Sequence, residues 1–272
     1  MAPLALVTGA STGIGRACAT HLAARGFHVL AGVRDEADAP SGLEPLRLDV
    51  TSEADVAAAR ERVGAELAAL VNNAGIAIMG PVEGVPVDDW RRQVEVNLIG
   101  QVAVTRALLP ALIRARGRIV NMTSIGGRVA MPLFGPYSAS KFAMEAVTDA
   151  LRRELHAHGV KVVAVEPGAI ATPIWDKGLE DAQRRLDGLS PDVPRRYERL
   201  IEAARGAAAA MGRDGLAPEQ VAETVVRAVT ARRPRTRYVI GRDARAQAVL
   251  ARLLPDRAFD ALIRRALTSG GR

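Results

Sequence analysis

The sequence predicts a single α/β domain, a doubly wound parallel sheet with helices on both faces, and three observations carry that prediction. Short apolar runs alternate with segments of helical period along most of the chain, the pattern of strands buried on both faces between covering helices. A glycine-rich turn, Thr8-Gly9-Ala10-Ser11-Thr12-Gly13-Ile14-Gly15, joins the first run to the first helical segment. The 272 residues, 49% of them apolar, are ample for one large core, and no linker-like stretch divides them.

In chain order, strands are predicted near 4–8, 28–33, 46–48, 67–71, 117–123, 161–166 and 237–240. Helices are predicted near 14–25, 53–64, 88–114, 138–157 and 218–231. Right-handed crossovers between them give the doubly wound sheet. From Pro173 to about Ala217 the rhythm breaks. This long connection is rich in Arg, Gly and Pro and carries scattered large side chains, including Trp175, Leu179 and Tyr197. A connection of that length inside a compact domain is usually functional, so 173–216 is expected to be a lid over the substrate, with Trp175 and Leu179 among its substrate-facing side chains. After the last strand, Asp243 to Leu267 has an Arg-studded amphipathic pattern. It is expected to pack on the domain or a partner subunit, with a membrane surface as the alternative.

Composition narrows the function. The formal charge is +7, but the arginines are interspersed with carboxylates and only nine residues are aromatic, a poor match to nucleic-acid binding. The single cysteine, Cys18, lies in the first helical pattern and reads as a small buried hydrophobe. The four histidines have no metal-ligand spacing, so no metal site is expected. Met1-Ala2-Pro3 leads straight into the first strand and there is no run of eighteen consecutive apolar residues. A soluble, cytoplasmic chain without an integral membrane segment is expected.

The chemistry is concentrated at Tyr137-Ser138-Ala139-Ser140-Lys141, which holds one of only three lysines in the chain. A Tyr and a Lys four apart on a helix share a face, and a fixed cation stabilises a phenolate, making the phenol usable as an acid and base. Ser124 lies upstream at the end of Gly117-Arg118-Ile119-Val120-Asn121-Met122-Thr123-Ser124, a predicted strand. Asn72-Asn73-Ala74-Gly75 and Asn97 precede it. In this order and spacing, together with the glycine-rich turn, the set resembles the classical short-chain dehydrogenase/reductase family, from residue 4 to about 240. Glu166-Pro167-Gly168 and Thr172-Pro173-Ile174-Trp175 look most like its hydroxysteroid and retinol dehydrogenase branch.

That resemblance implies a Rossmann-like nicotinamide-dinucleotide site. Gly9, Gly13 and Gly15, with Ser11, Thr12 and Ile14 between them, would bring backbone close to the pyrophosphate at a helix N-terminus. Asp49 and Val50 would contact the adenine, and Asn73, Ala74 and Gly75 the adenosine side. Pro167, Gly168, Ile170 and Thr172 would close the nicotinamide end. The usual acidic position after the second strand is Val33, followed by Arg34, whose guanidinium can take a ribose phosphate. NADP(H) is therefore favoured, with NAD(H) the alternative.

The family roles fall on Tyr137 as acid or base, on Lys141 for the phenol and the nicotinamide ribose, on Ser124 for the substrate oxygen, and on Asn97 for a proton-relay water. The expected function is an NADP(H)-dependent oxidoreductase interconverting a secondary alcohol and a ketone on a lipophilic substrate, as a homodimer or homotetramer. The alternatives are an NADP-binding regulatory protein of the same fold or an NAD-dependent dehydrogenase.

Overall fold

The computed structural model describes residues 2–269, which form one seven-stranded parallel sheet in the order β3-β2-β1-β4-β5-β6-β7. The strands are β1 (Leu4–Thr8), β2 (His28–Val33), β3 (Glu44–Arg47), β4 (Ala69–Asn72), β5 (Arg118–Met122), β6 (Lys161–Pro167) and β7 (Arg237–Ile240). Order reverses between β1 and β4, so their carboxyl ends open a crevice at the point where open α/β sheets bind ligands.

Strand alternation assigns the two faces. Ala5, Val7, Val29, Ala31, Ala69, Val71, Val120 and Val163 point into one layer, where α1 (Gly13–Ala24) packs against α8 (Pro218–Thr230). Leu6, Leu30, Leu70 and Ile119 point into the other, beneath α2 (Glu53–Val63), α4 (Gly100–Arg114) and α5 (Gly135–Glu154). Small and β-branched side chains let α1 and α8 lie close to the sheet, and leucines fill the wider opposite layer. Cys18 is fully buried in the first layer, where burial pushes its thiol up and leaves it inert.

The predicted helix over 88–114 is continuous but not uniform. It runs as α3 (Val87–Val94), a π turn (Glu95–Ile99) and then α4. Although the sequence lacks eighteen consecutive apolar residues, Val87–Arg114 is, by length and composition, apolar enough to cross a membrane. Here Val104, Leu108 and Leu112 are buried in the leucine layer, the placement of a core helix.

The segment after β6 departs from a structureless connection. It is a helical hairpin, α6 (Pro173–Asp187) and α7 (Asp192–Asp214). Pro173 occupies the first turn of α6, where its missing N–H costs nothing. The hairpin leaves and returns at one place, because Ile170 and Leu216 form a parallel bridge closed by Ala171 N–H to Leu216 O at 3.0 Å and Leu216 N–H to Ala169 O at 3.0 Å. Its body lies on residues 77–89. A Cβ at Gly178 would sit 2.9 Å from the Ala77 carbonyl oxygen. Arg185 donates to Met79 O at 3.0 Å and pairs with Asp89 at 3.4 Å, and Arg196 grips both Glu83 oxygens at 2.7 and 2.8 Å. The C-terminal pattern forms α9 (Arg242–Leu253) and α10 (Asp256–Ser269), which expose Val249, Leu253 and Leu262.

Candidate active site

A cavity of about 760 Å³ follows the crevice, and every residue named from the sequence for the catalytic and cofactor sets lines it. At one end are the glycine-rich turn, Arg34, Asp49 and Val50; at the other are Ser124, Tyr137, Lys141, Ile170 and Thr172. Asn73, Ala74, Gly75 and Asn97 lie on the wall between.

The glycine turn is built by close approach. Gly9 and Gly13 have φ of +65° and +53°, in the left-handed region that disfavours a side chain. A Cβ on Gly9 would lie 2.8 Å from Ala74 Cα, and one on Gly15 would collide with the Gly9 carbonyl. The Asn73 amide donates to the carbonyls of Thr8 and Gly9 at 3.0 and 3.2 Å, while Thr8 Oγ1 accepts the N–H groups of Asn73 and Ala74, each at 2.9 Å. Asn73 thus fixes the turn from the neighbouring strand end. The first turn of α1, with its unpartnered N–H groups and positive dipole end, faces the cavity and suits a pyrophosphate.

At the end of β2, Arg34 lines the cavity and is exposed, whereas Asp35 turns aside to cap a short 3-10 helix, accepting Ala37 N–H at 3.0 Å. The carboxylate next in sequence to Arg34 is therefore engaged elsewhere. The Thr51 N–H and hydroxyl, and more weakly Arg34, hold Asp49 below the usual carboxylate range against its partial burial.

At the other end, α5 carries Tyr137 and Lys141 one turn apart and both are buried, with the Lys141 ammonium 5.7 Å from the Tyr137 ring centroid. Lys141 Nζ donates to Met122 O, at the end of β5, at 2.7 Å. Burial pulls Lys141 down to about 8, and Glu145 opposes this. Tyr137 is pushed upward by burial, and the hydrogen bond with Ser124 works in the other direction. Lowering of the phenol by Lys141, which the helical spacing suggests, does not outweigh desolvation here. Ser124 caps the short helix 125–127 by accepting Gly126 N–H at 3.0 Å, which fixes its hydroxyl beside Tyr137.

Asn97 sits in the π turn, an irregularity frequent at functional sites. Its side chain treats residue 76 as a strand would, accepting Ile76 N–H at 2.8 Å and donating to Ile76 O at 3.0 Å, and it donates to Ser140 Oγ at 3.3 Å. Gln93, fully buried one turn earlier, does the same for Ile78 N–H at 2.7 Å and Ile76 O at 3.0 Å. Sequence reasoning missed Gln93, although a second amide four residues before Asn97 in an apolar helix was a usable signal. Trp175 also lines the cavity, edge-on to Tyr137 at 5.8 Å between ring centroids, with its indole donating to Ile170 O at 3.2 Å. Leu179, the other lid residue expected to face substrate, is outside the lining. Arg91, Arg92 and Lys177 add charge that the sequence did not place there.

A profile of the short chain dehydrogenase family matches residues 3–183. The chain is 36% identical to an NADPH-dependent 3-dehydrocapnine reductase of Ornithobacterium rhinotracheale, over 94% of each chain. It is 38% identical to retinol dehydrogenase 5 of Mus musculus, over 94% of this chain and 86% of that one. Among solved structures, a short chain dehydrogenase from Burkholderia cenocepacia in complex with NADP superimposes with a TM-score of 0.74 at 29% identity, covering 98% of each chain. The protein belongs to the short-chain dehydrogenase/reductase family. It is an oxidoreductase acting on CH–OH groups with NAD(P).

Proposed function

We propose that the protein is an NADP(H)-dependent oxidoreductase that interconverts a secondary alcohol and a ketone on a lipophilic substrate. The observation that carries this reading is the meeting of Ser124, Tyr137, Lys141 and Asn97 on one wall of a cavity whose far end holds a glycine turn and Arg34. The cradle fits a dinucleotide: it combines glycines that admit no side chain, a helix N-terminus and a guanidinium at the ribose end. With Asp35 engaged in its cap, Arg34 is free to present its guanidinium to the cavity directly after β2, which supports a phosphate-bearing ribose.

When bound, the nicotinamide supplies or accepts the hydride. Tyr137 then delivers a proton to the carbonyl oxygen during reduction, or removes the hydroxyl proton during oxidation. Ser124 donates to the same oxygen and keeps it in line with the phenol. Lys141, its ammonium held at Met122 O, lies near enough to favour the phenolate as the proton leaves and to receive the ribose hydroxyls. Asn97 shapes the wall behind Lys141 through Ser140 and Ile76, the place from which a water would exchange protons with solvent. Trp175, Ile174 and Ile78 give the substrate end an apolar surface, supporting a lipophilic ketone. Half-exposed Ile99 of the π turn and Phe142 of α5 support assembly into a homodimer or homotetramer.

Oxidation of NADPH followed at 340 nm across a panel of steroid, retinoid, polyketide and short-chain ketones tests the reading. One lipophilic class should turn over, and Tyr137→Phe should slow it by at least ~100-fold while NADPH still binds. Near-parental turnover by Tyr137→Phe removes Tyr137 from the mechanism.

A further inference from the structure

Behind the wall that carries Lys141 lies a partly buried ionic cluster spread over four elements. Glu166, fully buried on β6, pairs with Arg128 at 2.6 Å and lies 3.3 Å from Arg237 of β7. Arg237 also reaches α5, meeting Glu145 at 3.0 Å and Asp149 at 2.7 Å. Asp149 is shared with Arg152 and Arg153, one turn further along the same helix. From α9, Asp243 comes against the backbone of Gly168, just beyond Glu166 and Pro167.

Lys141 lies beside this cluster on α5. The carboxylates Glu145 and Glu166 face the guanidiniums Arg128 and Arg237, and Asp149 takes Arg152 and Arg153 as well as Arg237. Lys141 stands one helical turn before Glu145 on the same face. Gly127 shows how tightly the parts meet: a Cβ there would lie 2.9 Å from the Lys141 carbonyl oxygen and 3.2 Å from Glu145 Cγ. The turn that presents both Ser124 and Arg128 therefore rests directly on the stretch of α5 bearing Lys141 and Glu145.

We propose that Glu145, fixed by Arg237, is a positioning residue for Lys141, keeping its ammonium charged in a dry site and tying its helix to β6, β7 and the Ser124 turn. A buried amine alone tends to lose its proton, and Glu145 is the group that resists this for Lys141. Arg237 has the reverse effect, because it balances Glu145 and Glu166 and so weakens the negative field at Lys141. The two substitutions must therefore act with opposite sign. The inference rests on reading Lys141 as the lysine of the proton-handling set, but its test needs no substrate.

The chain has three lysines, so isotope-labelled lysine gives three side-chain signals in an NMR titration, and Lys141→Met identifies the one of interest. In the free parent its midpoint is expected near 8. Glu145→Gln, nearly isosteric, should lower that midpoint, and Arg237→Met should raise it, each by roughly half to one and a half pH units for the loss of one nearby charge. Arg237→Lys should leave it close to the parent value. If the cluster were only structural, either change would admit water and move the midpoint upward toward the ordinary lysine range. An unchanged or rising midpoint in Glu145→Gln overturns the proposal. Should Arg237→Met not fold, Glu145→Gln with the Arg237→Lys control decides it. Opposed shifts in a protein that reduces no carbonyl would sink the catalytic reading and leave the pairing standing.

Discussion

Lys141 burdens the fold that presents it, and the cost can be measured as a dependence of stability on pH. Its folded value, about 8, lies below the 10.5 of a free lysine because the ammonium is desolvated. Between those two values the unfolded chain binds more protons than the folded one, so stability rises with pH through that window. Below pH 8 the amine is protonated in both states and carries the full penalty, on the order of 3 kcal/mol at about 1.36 kcal/mol per unit. Near pH 10 the folded amine is already neutral, and the remaining penalty is below about 1 kcal/mol.

Lys141→Met removes the titration and keeps an unbranched side chain of similar length. It also leaves Met122 O without its donor, a loss of about 1–3 kcal/mol that does not vary with pH. The sign of the stability change at one pH is therefore uninformative, whereas its change with pH is diagnostic. Urea unfolding of parent and variant at pH 7 and pH 10 should give a parent-minus-variant difference that grows in the parent's favour by roughly 2–3 kcal/mol. Subtracting the variant cancels every titrating group that does not interact with Lys141. A difference that stays constant between the two pH values refutes the account of Lys141 as a desolvated ammonium. The variant should also bind NADPH more weakly, because the same ammonium is assigned to the ribose.

Two further outcomes are expected. Arg34→Ala removes the guanidinium proposed to meet the ribose phosphate and should weaken NADPH binding by about tenfold or more, the value of a charge-assisted hydrogen bond, while leaving NADH nearly unaffected; equal losses for both, read by nicotinamide fluorescence, would withdraw the assignment. The hairpin of α6 and α7 is held at its base by the Ile170–Leu216 bridge and on its body by exposed or half-buried ion pairs, which contribute little. Tryptic cleavage within 184–205 should accordingly be accelerated by Arg196→Ala and slowed by NADPH with a lipophilic ketone, and equal rates with and without ligands would rule out a lid.

The sequence exposes the sheet and most of the cavity because both are written in local patterns. Buried strands announce themselves as apolar runs, and the glycine turn, Ser124, Tyr137 and Lys141 each sit at the end or start of such an element. The 173–214 hairpin was less legible. Both helices are amphipathic, but Gly178, Gly188 and two prolines interrupt the pattern, and the glycine that reads as a breaker at 178 is there because α6 lies on the Ala77 carbonyl. Leu179 was misassigned to the cavity for a related reason. Its large apolar side chain gives no direction until the helix phase is known, and that phase turns Trp175 inward and leaves Leu179 outside the lining.

The residues that sequence reasoning passed over, Gln93 and Glu145, share one form, each standing four residues from one that it picked out. Gln93 with Asn97, and Lys141 with Glu145, are polar pairs four apart, which a helical reading places on one face but cannot orient. For the first pair, what it faces is the backbone at 76–78, arriving from β4 and bare of strand partners; two amides supply the missing hydrogen bonds. For the second, what Glu145 faces is Arg237, 92 residues further along the chain and brought there only because β7 adds beside β6. Buried polar side chains need partners, so each such pair in a sequence forecasts that something polar must lie opposite. The order of strands decides what that is, and here it turns an arginine on an edge strand into part of the surroundings of the helix that carries Lys141.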